Sequence, residues 1–203
     1  MLAFNRGLLY NSLGDFMKKI FNQSLKLFFS LLFSCFASFM IAISFAVILS
    51  SASQWVFYTL TQVFNLIVLI TVIWQVVYYM GFRDSNMVRT GHMKEDLYKG
   101  FKIGAIAQVP WFVFLIASVV LNLRFSIYRI FNSAYYWLVT AIAGTFKGKE
   151  IAAITMGNIG VFKIILFALV LLIVPVISGV IYVLGYKGID IFSKFIYKKN
   201  KGK

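Results

Sequence analysis

The chain has 203 residues, of which 61% are hydrophobic and only 13% are charged. Soluble domains average about 45–50% apolar and about 25% charged residues, so this chain has too few solvated side chains to cover a water-facing surface. The composition therefore excludes an ordinary soluble domain and indicates a protein surrounded by lipid.

Four long runs of apolar residues contain no Asp, Glu, Lys, Arg or His. A helix rises about 1.5 Å per residue, so about 20 residues cross a hydrocarbon core of about 30 Å. Strands of a β-barrel would alternate apolar and polar residues, which these runs do not. We predict an all-α integral membrane protein with a bundle of four transmembrane helices at 27–50, 56–80, 103–123 and 164–186. The first run is too long for a signal-peptide core, so we expect it to be retained in the mature chain.

The net charge of +14 is distributed unevenly between the two sides of these spans. Short basic loops are retained on the cytoplasmic side of a membrane. If both termini are cytoplasmic, fifteen of the twenty basic residues lie inside: Arg6, Lys18, Lys19, Lys26, Arg83, Arg89, Lys94, Lys99, Lys102, Lys187, Lys194, Lys198, Lys199, Lys201 and Lys203. Five lie outside: Arg124, Arg129, Lys147, Lys149 and Lys163. We predict both termini to be cytoplasmic, next to an anionic inner leaflet. A nucleic-acid partner is not predicted, since no recognition module is visible.

The segment 125–160, before the last span, is predicted to be a broken interfacial region. Its apolar part, 130–146, is at the lower edge of spanning length, and its crossing would largely remove the charge bias. The aromatic residues at 135–137 favour the headgroup level. We expect an interfacial or partly inserted segment. A deep re-entrant hairpin is less favourable, because the charged residues at 147–150 would enter hydrocarbon.

Amphipathic segments flank the bundle at 8–24 and 189–199. In the second of them, Phe192, Phe195 and Ile196 lie opposite a basic face. Both patterns are typical of helices that lie on the membrane surface.

Small residues recur at every fourth position of the first span: Ser30, Ser34, Ser38, Ala42 and Ala46. Small side chains allow another helix to approach closely in lipid. Four residues turn a helix by about 400°, so the stripe drifts by about 40° per step and could face two neighbours in succession. We favour packing within the chain and keep docking to a partner subunit as the alternative.

The second and third predicted spans carry uncharged polar residues: Gln62, Asn65, Gln75, Gln108 and Asn122. Buried amides need hydrogen-bond partners, so we expect these side chains to face the bundle interior. Their simplest role is to join helices. The alternative is a polar path or solute pocket, in which Pro110 would free a backbone carbonyl.

The loop 81–102 is the one polar segment with a local pattern. Its candidate interaction residues are Arg83, Asp84, Arg89, His92, Glu95 and Asp96. Glu95 and Lys99 are spaced to pair along a short helix that enters the third span. We favour a solvated hairpin whose basic residues fix the orientation; a docking loop or a reactive site is the alternative.

Asp, Glu, Lys, Arg and His are missing from all four predicted spans, although pumps and enzymes rely on such groups. One histidine and one cysteine do not make a zinc site, and no cofactor or metal is predicted. Our first hypothesis is therefore a non-enzymatic subunit of a membrane complex, associated with other membrane proteins or with itself. The alternatives are a channel or transport component that uses the amides, and a membrane enzyme that uses the 81–102 loop.

Overall fold

The computed structural model describes residues 3–48, 53–144 and 153–189. Regular structure in these ranges is helical, apart from one isolated β-bridge between Arg124 and Thr155. The helices are α1 (Ala3–Ile48), α2 (Gln54–Ile73), α3 (Tyr79–Arg89), α4 (Lys99–Val120), α5 (Phe125–Phe131), α6 (Tyr136–Ala143), α7 (Val161–Leu171) and α8 (Ile173–Tyr186).

Four helical stretches are long and apolar enough to cross a membrane: Met17–Ile48, Trp55–Arg89, Lys99–Val120 and Val161–Tyr186. They confirm the predicted all-helical architecture with four helices of spanning length. Helices suit these sequences because they satisfy every backbone hydrogen bond within one segment, which lipid cannot do.

Two of the four stretches are composite. α2 continues into α3 through a π-helical turn at Trp74–Tyr78, and α7 meets α8 at Leu172. The second junction lies just before Pro175, which has no backbone N–H to donate to the carbonyl of Leu171. The proline therefore leaves the carbonyl of Leu171 without its usual partner in the helix.

The core of the bundle lies between α8 and its neighbours. α8 packs on α3, α4 and the π-helical turn, whereas α1 packs on α2 and α4. In the most apolar part of α1 only 17% of the residues are buried, against 33–39% in the other three stretches, so α1 is the most peripheral helix. The fully buried apolar residues include Leu27, Ile73, Ile103, Phe125, Tyr128, Phe167 and Tyr182.

The helix directions define two ends of the bundle. At the polar-loop end, residues 90–98 connect α3 to α4. At the opposite end, α1 finishes, α2 begins, and the segment 125–160 connects α4 to α7.

Three helix boundaries differ from the predictions. The predicted surface helix at 8–24 is the first part of α1 and is not separated from the first span by a break. The second stretch continues to Arg89 instead of ending at residue 80, and α4 begins at Lys99 instead of residue 103. The predicted helix at 189–199 lies outside the described residues, except for residue 189.

Candidate functional site

A buried group of polar side chains joins α3, α4 and α8 at the polar-loop end. Asp84 and Lys99 both have no exposed surface. The Lys99 ammonium donates to Asp84 Oδ2, and the Tyr182 hydroxyl donates to the same oxygen at 3.1 Å. Each of the three helices therefore contributes one member of an acid, base and phenol cluster, which we call the Asp84 cluster.

The other carboxylate oxygen of Asp84 faces two more cations. Lys19 Nζ lies 3.7 Å and Arg83 Nε 3.9 Å from Oδ1. These two side chains are 33% and 54% exposed, so they lie at the rim while Asp84 and Lys99 are sealed inside. One carboxylate is thus surrounded by three positive charges.

Glycines bring the three helices into close contact around this cluster. A Cβ atom at Gly100 would overlap the side chain of Tyr182, and one at Gly81 would overlap the carbonyl of Tyr182. A Cβ atom at Gly185 would overlap the carbonyl of Tyr78. The backbones approach to a distance that only glycine allows, and Asp84 has no exposed surface within this crossing.

These contacts correct the solvated-hairpin interpretation of the 81–102 loop. Asp84 and Lys99 are buried, and both lie within helices of spanning length, so titratable groups are present in those stretches after all. The predicted pairing of Glu95 with Lys99 along a helix is wrong, because α4 begins only at Lys99, which binds Asp84.

The other loop residues that the sequence singled out stay outside the cluster. Arg83, Arg89, His92 and Glu95 are exposed. Asp96 is partly buried and accepts a hydrogen bond from Lys102 at 2.8 Å. The structure therefore brings together only Asp84 and, at the rim, Arg83.

A second polar site lies where the chain breaks between α5 and α6. The residues Ser133–Tyr135 form a short 3-10 turn. Asn65 Nδ2 donates to the carbonyl of Ser133 at 2.9 Å, and Gln62 Nε2 donates to the carbonyl of Ala134 at 3.1 Å. Gln62 Oε1 accepts from the backbone N–H of Trp137 at 3.0 Å. Gln62, which lies on α2, thus caps the first turn of α6, and both the N–H and the oxygen of its amide are hydrogen-bonded.

This break is buried well away from the helix tips. Asn65 lies eleven residues after Gln54, about 16 Å along α2. Ser133 Oγ donates to the carbonyl of Cys35, which is about 20 Å before the end of α1 at Ile48. Irregular backbone at such depth is stable only when protein groups pair with it, and these amides do so.

Two basic residues contact the two ends of α6. The Arg129 guanidinium lies 4.2 Å from the centre of the Tyr136 ring. Lys163 Nζ donates to the carbonyl of Ala143 at 2.7 Å, at the last residue of α6. Burial is the main cause that raises the pKa of Tyr135 above its usual value, so its phenol stays neutral. The cations here bind a ring face and a helix end.

Gln108 has the same kind of partner as Gln62 and Asn65. Its Nε2 donates to the carbonyl of Leu171 at 3.2 Å. Leu171 lies four residues before Pro175, so this is the carbonyl that the proline leaves unpaired. The sequence suggested that Pro110 frees a carbonyl; the carbonyl that an amide engages is that of Leu171, which Pro175 leaves free.

Two of the five predicted interior residues are exposed, which corrects that part of the prediction. Gln75 is exposed; it lies ten residues after Asn65, a turn of about 1000°, which places it about 80° around the helix from Asn65. Asn122 follows the end of α4 with a φ of 49° and accepts from the backbone N–H of Gly157 at 2.9 Å. It stabilises a turn and does not enter the interior.

The small-residue stripe of α1 changes its surroundings along the helix. Ser34 and Ser38 are fully buried, Ser30 and Ala42 are half-buried, and Ala46 is exposed. Only the middle of the stripe packs within the chain.

Sequence reasoning missed Tyr182, Lys99 and Ser133 as members of these two sites. Tyr182 lies in an uncharged run, and its partner Asp84 is 98 residues away. A signal was present in Gly81, Gly100 and Gly185, whose close contacts locate the helix crossing.

No protein-family model, curated protein or solved structure matches this chain. The fold shows the class of protein to which the chain belongs: an all-helical protein with four helices long and apolar enough to cross a membrane.

Proposed function

We propose that this protein is a non-enzymatic, multi-pass membrane subunit that assembles with another membrane protein or with a second copy of itself. The contact is made through the C-terminal part of α1, Met40–Ile48, which we call the outer half of α1. The charge distribution supports a topology with both termini in the cytoplasm, which puts the polar-loop end inside.

The observation that carries the proposal is the low burial of α1. This helix makes its contacts with α2 and α4 through one side, and 17% of its most apolar part is buried. Along Met40–Ile48 no residue is fully buried. A helix that packs so little within its own chain has a long face available for another helix.

The drift of the small residues gives this face a composition suited to helix contact. Ser34 and Ser38 face the chain's own core, and by Ala46 the stripe has turned outward. Small side chains on an outward face allow a second helix to approach within van der Waals distance, which is the main source of affinity between helices in lipid.

The alternatives receive less support from the same structure. Asp84, the buried acid, is held by Lys99 and Tyr182 and is sealed from any substrate, which disfavours an enzyme at the polar loop. Gln62 and Asn65 donate to backbone carbonyls, so these amides are committed to structure and disfavour a polar path.

Photo-crosslinking in native membranes tests this proposal. A photoreactive residue at Ala46 is expected to give discrete adducts with a second membrane protein, because that face contacts it. The matched control places the same residue at Val113, an exposed position on α4.

A second pair of variants separates close packing from simple proximity. Leucine at Ala42 and Ala46 is expected to abolish the adducts by pushing the partner helix away, whereas V109L/V113L should leave them unchanged. Equal labelling from positions 46 and 113, or a chain that stays alone in mild detergent, would contradict the proposal.

A further inference from the structure

A groove between α1 and the composite helix α2–α3 opens at the polar-loop end. Its upper part has a volume of about 360 Å³ and contains the charged residues Lys18, Lys19, Lys26 and Arg83. Its lower part has a volume of about 600 Å³ and is lined by apolar side chains that include Phe29, Val76 and Tyr79. Gln23, Lys26 and Arg83 line both parts, so the two parts form one continuous surface.

The change from charged to apolar lining coincides with the ends of the uncharged runs. Lys26 directly precedes the first run, and Arg83 lies three residues after the second. Lipid headgroups and acyl chains meet at this level of a membrane helix. The groove therefore offers cations to a headgroup and an apolar wall to a chain.

Among the residues that the structure describes, the cations of the groove outnumber the acids beside them. Among the described residues, the acid within salt-bridge distance of these cations is Asp84. Its charge is already balanced by Lys99, which is closer to it than Lys19 or Arg83. The groove is left with a net positive charge that an anionic ligand would compensate.

A buried amide without a partner lies in the same wall. Gln23 is 5% exposed, and neither its Nε2 nor its Oε1 atom has a hydrogen-bond partner among the residues that the structure describes. An unpaired buried amide is unfavourable, so a ligand that accepts a hydrogen bond from its N–H groups would be stabilised here.

We propose that this groove binds an anionic phospholipid. The phosphate lies among Lys19, Lys26 and Arg83 and accepts a hydrogen bond from Gln23, and one acyl chain lies along Phe29 and Val76. A phospholipid is the occupant because its charged headgroup is followed by apolar acyl chains, in the same order as the charged and apolar parts of the groove. The site is independent of any partner at the outer half of α1.

Native mass spectrometry of the full-length protein in mild detergent tests this site. Phosphatidylglycerol is expected to bind more tightly than phosphatidylcholine. K26Q/R83Q should weaken phosphatidylglycerol binding roughly 30-fold, because each cation near an anionic headgroup contributes about a factor of ten or less. The matched control R89Q/K94Q removes two exposed cations from the same end of the bundle outside the groove, and it should change binding less than about threefold.

A variant that keeps all charges distinguishes a loss of lipid binding from a loss of folding in K26Q/R83Q. Ser30→Trp fills the apolar part of the groove and should abolish tight lipid binding while the protein stays helical. Normal binding by this variant, or an equal loss in R89Q/K94Q, would overturn the proposal. Displacement of the lipid by millimolar glycerol phosphate would instead assign the cations to a free phosphate ester and also overturn it.

Discussion

The two ends of the bundle keep polar groups inside an apolar protein in different ways. At the polar-loop end, Lys99 of α4 neutralises Asp84 of α3, Tyr182 of α8 donates to the same carboxylate, and glycines bring the three helices close together around them. At the opposite end, neutral amides on α2 pair with the open backbone around Ser133. The first arrangement depends on all its members together, whereas in the second each amide binds its own carbonyl.

The largest expected effect comes from removing one charge of the Asp84 cluster. Asp84→Asn leaves Lys99 buried with an uncompensated charge, which should lower the free energy of unfolding by about 3–5 kcal/mol. Thermal unfolding in detergent measures this loss. Asp96, a partly buried acid that pairs with the exposed Lys102, is the matched control when changed to Asn and should cost less than about 1 kcal/mol.

The double variant D84N/K99M sharpens the comparison. It removes both charges and keeps an acceptor for Tyr182, so stability should return close to that of the wild type. A double variant as unstable as Asp84→Asn alone would show that the cluster is not held together by charge.

A middle-sized effect is expected where the helices cross. Gly100→Ala introduces a Cβ atom that overlaps Tyr182, so α4 and α8 must separate, at a cost of about 1–3 kcal/mol. Gly179→Ala lies in α8 at ordinary contact distance, 3.5 Å from Phe101 Cβ, and should be neutral or stabilising. Equal melting temperatures for the two variants would argue against the close crossing.

The smallest effect is expected at the opposite end. Gln62→Leu leaves the carbonyl of Ala134 and the N–H of Trp137 unpaired, which should cost about 1–2 kcal/mol. Gln75→Leu changes the same residue type on the exposed side of the same stretch and should cost nothing measurable. The losses in the free energy of unfolding from Gln62→Leu and Asn65→Leu should nearly add in the double variant. In D84N/K99M, by contrast, the second change should compensate the first. Additive losses in D84N/K99M would remove the distinction between the two ends.

The sequence predicted the four spanning helices because uncharged runs of this length leave little choice in lipid. It also located Gln62, Asn65 and Gln108, because a polar residue in such a run must find a partner. Their partners could not be predicted, since they are backbone carbonyls far away in the chain, such as Ala134 for Gln62.

The Asp84 cluster was lost for a different reason. Ending the second span at residue 80, close to the first charged residues, assigned Asp84 to a loop, although the helix continues to Arg89. Hydropathy marks where charge begins and not where a helix ends, so the acid and its partner Lys99 seemed solvated.

The contact between Ser133 and Cys35 provides a native chemical probe of this part of the chain. Cys35 is the single cysteine of the protein, and its thiol lies against Ser133 and Ala134 at the bottom of the broken segment. Cys35 is half-buried, and a maleimide should react with it faster when this segment lifts. A change in the rate of alkylation therefore reports, without any engineered label, opening at the opposite end of the bundle.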